Sequence, residues 1–141
     1  MYQRRNHRLT RQSRKERTTM PAPIALQLYS IRDELNQDFE SGIRKIAAMG
    51  YAGVEPAGFP GSTPQAAARL FRELDLAVPS AHVALPLGDE KQQTLDTMAA
   101  LGSTCIVSGL GPDNYLTVDD TKKSCETFNQ AAAVAAEHGM T

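Results

Sequence analysis

What most constrains this chain is an alternation that starts at Pro21: a short apolar run, then a helical stripe, then a glycine, repeated to the last residues. Ile24, Leu26 and Leu28 alternate with Ala25, Gln27 and Tyr29, which predicts a first strand over 24–30 with one apolar face. Asp38 then reads as the N-cap of a helix carrying Phe39, Ile43, Ile46 and Ala47 at helical spacing, stopped by Gly50. A second strand follows over 51–55. After the Gly58-Phe59-Pro60-Gly61 loop, Thr63 caps a helix with Pro64 at its first position and a buried stripe of Ala67, Leu70, Phe71 and Leu74. A third strand is predicted over 76–83, with a helix placing Leu95, Met98 and Leu101 inward before Gly102. The fourth strand, 104–107, leads through Gly109-Leu110-Gly111-Pro112 to a helix opened by Asp119 or Asp120 and running past Phe128 to Gly139. At Thr141 the pattern calls for a fifth strand.

Short connections through helices imply parallel strands, because each helix returns the chain to the same end of the sheet. Right-handed crossovers in the order 1-2-3-4 put every helix on one face and leave the other bare. A closed barrel of eight such units solves this by making the bare face its interior. The expected fold class is therefore α/β, with parallel βα repeats forming the first four units, or half, of a (β/α)8 barrel. A flavodoxin-like arrangement would cover both faces, but it wants a fifth strand and a Gly-rich or acidic first turn.

The charge is unevenly spread. Residues 1–20 hold seven basic side chains, Arg4 to Arg17, against Glu16 alone, which leaves eight basic and fifteen acidic residues for the rest. An Arg-rich, apolar-poor segment cannot bury enough surface to order itself, so 1–20 is expected to be a disordered basic extension and 21–141 the domain. The extension lacks the apolar core of a secretory signal. Met20 opens the globular pattern, so residues 1–19 read as an upstream addition, with a basic arm for nucleic acid or an anionic surface as the other reading. Cys105 and Cys125 show neither disulfide nor zinc-ligand spacing, consistent with free thiols and a cytoplasmic location. The longest small-apolar run, from Ala131 to Ala136, has six residues, far short of the roughly 18 of a spanning helix. No membrane partner is expected. Tryptophan is absent and aromatic residues are 6% of the chain, which argues against a base-stacking surface.

Three segments carry a resemblance beyond periodicity: Leu26-Gln27-Leu28-Tyr29-Ser30-Ile31-Arg32-Asp33-Glu34-Leu35, then Met49-Gly50-Tyr51-Ala52-Gly53-Val54-Glu55 with Ala57-Gly58-Phe59, then Pro79-Ser80-Ala81-His82-Val83. In order and spacing, over about residues 24–140, the chain resembles the sugar phosphate isomerase/epimerase family, the xylose isomerase-like barrels related to apurinic-site endonucleases. The resemblance implies a divalent metal (Mn, Mg, Co or Zn) that polarises a carbonyl while carboxylates move a proton beside it, interconverting aldoses and ketoses or epimerising ketoses. It also implies that the principal metal ligands, two Glu with an Asp and a His, and both catalytic carboxylates come from beyond the fourth strand. Of that metal site this chain carries at most His82. The expectation is an inactive half whose activity belongs to the full-length barrel. An apurinic endonuclease-like nucleic-acid-processing protein, and a non-catalytic half-barrel that self-associates through open strand edges, are the alternatives.

In such barrels the chemistry sits at the C-terminal strand ends. Substrate-binding candidates are accordingly Gln27, Tyr29, Glu55, His82 and Ser108, for a sugar or sugar phosphate, with His82 also the candidate metal ligand. For His82 the readings are a pocket residue or an ordinary strand-end histidine. Glu55 lies in an apolar strand where an unpaired carboxylate is costly, so it either contacts substrate or partners a neighbouring polar group. Gln27 and Tyr29, expected on one face of the first strand, are binding contacts or interior filler.

Overall fold

The computed structural model describes residues 22–141, so the basic extension lies outside the described residues. Strands and helices alternate from the start: β1 (Ala25–Gln27), α1 (Arg32–Gln37), α2 (Phe39–Ala48), β2 (Gly53–Glu55), α3 (Pro64–Glu73), β3 (Ala81–His82), α4 (Lys91–Leu101), β4 (Ile106–Val107) and α5 (Val118–Glu137). β1 pairs with β2 and β3 with β4, both parallel. A parallel bridge between Gly53 and Ala77 joins the two pairs, and the His82 N–H donates to the Pro56 carbonyl at 2.8 Å. Where a fifth strand was expected, the backbone of Thr141 pairs with the outer edge of β4. Its N–H donates to Thr104 O, and Ile106 N–H donates to Thr141 O, both at 2.7 Å.

Two helices form where the caps predict. The Asp38 side chain accepts from the Ser41 N–H to open α2, and Thr63 accepts from the Ala66 N–H to open α3, with Pro64 losing no bond at the first helical position. α4 ends at Gly102, whose φ of +70° lies in the left-handed region that a glycine adopts without a Cβ penalty.

The core lies between the strands and one layer of helices. Leu28, Val54 and Ala81 meet Leu35, Phe39, Ile43 and Ile46 of α1 and α2, Ala67, Leu70 and Phe71 of α3, and Met98 and Leu101 of α4. Leu26 and Ile106 pack against this cluster. Because strand residues alternate faces, Gln27, Glu55, His82 and Val107 fall on the other side, away from the helices. Apolar burial on one face thus fixes which polar residues line the other.

Several boundaries differ from expectation. The first strand stops at Gln27 rather than Ser30, since 28–31 winds into a 3-10 turn that still buries Leu28. The third strand is broken: Ala77 makes a bridge, Pro79 has no N–H to donate, and regular pairing resumes at Ala81. α1 was not anticipated. α5 is capped by Thr117 in a reciprocal box with Asp120, one turn ahead of the expected opening at Asp119 or Asp120. Among the described residues no helix is long and apolar enough to cross a membrane.

Candidate functional site at the C-terminal strand ends

Gln27 and Glu55 are register partners at the last positions of β1 and β2. Adjacent strands lie about 4.8 Å apart, which brings two side chains on the same face into contact. Gln27 Nε2 donates to Glu55 Oε1 at 2.6 Å, and the Ser80 hydroxyl donates to Oε2 of the same carboxylate. Ser80 stands just before β3, whose last residue is His82. Three strand-end residues and Ser80 therefore gather on one rim.

Their electrostatics follow from the donors. Hydrogen bonds first from Gln27 and then from Ser80 hold the Glu55 carboxyl below its ordinary range, partial burial opposes them, and the charge of His82 adds a smaller push in the same downward direction. Glu55 is thus an ionised acceptor at neutral pH rather than a proton donor. Each carboxylate oxygen keeps a lone pair beyond the bond it already accepts, so the group can receive further hydroxyl donors. The linkage has a definite sign. A carboxyl depressed in the folded state stabilises it above the unfolded pKa, and that contribution is lost as pH falls through the folded value. Carbon-detected NMR of the Glu55 carboxyl against pH is expected to give a midpoint below that of an ordinary glutamate; a midpoint at or above it would contradict the network.

The five sequence candidates do not all meet. Gln27, Glu55 and His82 share the rim. Tyr29 does not stand on a strand face, because the strand ends before it; it is 56% exposed in the 3-10 turn, with the Arg32 guanidinium 4.6 Å from its ring centroid. Ser108 has the strand parity of Ile106 and borders an apolar cleft of about 160 Å³ with Phe128, Ala131 and Ala135 of α5, apart from Glu55. Ser80 was missed. Its place two residues before His82, in a segment read as a strand, is the signal that could have found it.

A divalent metal does not fit the residues present. Among the described residues no three His, Cys, Asp or Glu side chains gather into a donor set. At the rim Glu55 and His82 are the only such residues among those described, two donors where a protein-held ion takes three or more. No chemical step is derived through a metal here.

No protein-family model matches the chain, and no curated protein matches it either. Solved structures do. A sugar phosphate isomerase/epimerase from Parabacteroides distasonis aligns with a TM-score of 0.65 at 23% identity, over 88% of this chain and 51% of that one. An AP endonuclease, family 2, from Brucella melitensis aligns at 0.64 and 19% identity, over 85% of this chain and 54% of that one. A xylose isomerase-like TIM barrel fused to a 4-hydroxyphenylpyruvate dioxygenase aligns at 0.57 and 16% identity, over 84% of this chain and 21% of the fusion. The chain has the mixed α/β fold, with parallel strands, of part of a TIM barrel. It spans about half the length of the first two of these structures. Gln27, Glu55 and His82 end β1, β2 and β3 on the face that strand parity turns away from the helices, and Ser80 is bonded to Glu55 beside them.

Proposed function

We propose that this chain supplies a substrate-orienting wall of a sugar isomerase or epimerase, a member of the sugar phosphate isomerase/epimerase family. Proton transfer beside the carbonyl belongs to the whole barrel. The observation that carries the reading is the Glu55 carboxylate, pinned by Gln27 and Ser80 at the strand ends beside His82. A fixed, ionised acceptor suits a ligand that presents several hydroxyl donors, and Gln27 Oε1 and the His82 ring add groups that can accept or donate beside it. Holding the acceptor in place before the ligand arrives lowers the ordering cost of binding.

The charge of residues 21–141 lends the nucleic-acid alternative no support. Outside residues 1–20 the acidic side chains outnumber the basic ones by fifteen to eight, a poor surface for phosphodiesters.

Isothermal titration with fructose, a ketohexose, tests the reading. Glu55→Gln keeps the shape but exchanges an acceptor for an amide, and it is expected to weaken binding about tenfold, in the range of one lost charge-assisted hydrogen bond. Equal affinity in the wild type and the variant would sink the assignment of Glu55.

A further inference from the structure

Beside His82 the rim opens outward into a cleft of about 350 Å³ between the loop that follows β2 and the start of α4, lined among others by Phe59, Ser62, His82, Glu90, Gln93 and Thr97. Its chemistry is lopsided. Among the described residues no Lys or Arg lines it, and Glu90 puts a carboxylate on its wall. The two helix starts at its mouth are also spoken for. At α3 the Ala66 N–H is taken by the Thr63 hydroxyl and Pro64 has no N–H, while Asp89 and Glu90 lead into α4. Helix starts that would otherwise attract an anion are therefore capped or flanked by acids. Among the described residues His82 is the one lining group able to carry positive charge.

We infer that this cleft takes an uncharged polyhydroxylated group, a free sugar or a glycoside, and turns away a phosphorylated one. The inference rests on the reading of the rim as a sugar site and narrows its substrate class. Phe59 offers an apolar platform for the C–H face of a sugar ring, and Glu90 and Gln93 offer hydrogen-bonding groups to its hydroxyls. A phosphate there would lie beside Glu90, with Glu55 a further negative charge on the adjoining rim and no Lys or Arg among the described lining residues.

The test is a nitrogen-15 NMR titration of the full chain at pH 8 with fructose and, separately, with fructose 6-phosphate. Fructose is expected to shift the amides of Phe59 and Gln93 together with those of Gln27, Glu55 and His82. Fructose 6-phosphate is expected to bind about tenfold more weakly, the effect of one like-charge contact near a protein surface. Glu90→Gln and Glu90→Lys, changes at an exposed position, should progressively erase that difference. Three results would overturn the inference. If the phosphorylated sugar binds as tightly as the free one, or if fructose shifts the rim while Phe59 and Gln93 stay still, the cleft assignment fails and the rim reading stands. If neither ligand shifts the rim, both fall together.

Discussion

Replacing Phe71 by alanine is expected to destabilise the fold by about 3–5 kcal/mol, the range for removing a buried aromatic side chain together with the cavity it leaves. Phe71 is 1% exposed and its ring centroid lies 6.4 Å from that of Phe39, tilted by 49°. The pair joins α3 to α2 within the cluster that also holds Ile43, Leu35 and Leu70. A domain of this size has a net stability of about 5–15 kcal/mol, so the loss is a large share of the total. Urea unfolding should show the midpoint falling steeply with an unchanged slope. A shift equivalent to less than about 1 kcal/mol would mean that the helix layer can collapse around the gap, contrary to the close packing of such cores.

Gly53→Ala is expected to cost less, by a different mechanism. A Cβ on Gly53 would lie 2.5 Å from the Ala77 carbonyl oxygen and 3.1 Å from its carbon, both backbone atoms that no rotamer change can move. That oxygen also accepts the Val54 N–H at 2.8 Å, and Ala77 N–H donates to Ala52 O at 3.1 Å. A methyl group therefore pushes apart the bridge that links the two strand pairs. Overpacking of this kind costs about 1–3 kcal/mol. Because Glu55 is only two residues away, the variant should also loosen the bond from Ser80, so the Glu55 carboxyl midpoint should move back toward its ordinary value. Unchanged stability and an unchanged midpoint together would show that the bridge does not hold the rim.

The sequence made the alternation of strands and helices legible because α2 and α3 each carry a cap and a stripe: Asp38 with Phe39, Ile43 and Ile46, and Thr63 with Ala67, Leu70 and Phe71. It could not mark the end of β1. Leu28 is buried whether 28–31 continues as a strand or turns into a 3-10 helix, so the apolar pattern is the same for both. Tyr29 was misplaced for that reason. α1 buries only Leu35, too little for a period to register. The break in the third strand was not anticipated, although Pro79, whose missing N–H interrupts the ladder, is its signal.

At the site, the residue types were readable and their pairing was not. Glu55 stood out as a carboxylate in an apolar strand, and its partners come from register, which places Gln27 opposite it and lets Ser80 reach its second oxygen. Register depends on where strands begin and end relative to one another, and no local pattern in 24–30 or 76–83 records that. Ser108 shows the same limit from the other side. One residue past β4 its parity turns it toward α5, so being at a strand end was not enough to place it on the rim.

The central claim is that Gln27, Glu55, Ser80 and His82 form a sugar-binding rim. The measurement that tests it most directly is a residue-resolved map of amide shifts on adding fructose at neutral pH. The account predicts saturable shifts centred on those four residues, diminished in Glu55→Gln. Shifts centred instead on the apolar cleft at the opposite strand ends, around Ile24, Met49 and Tyr51, with the rim unmoved, would contradict it.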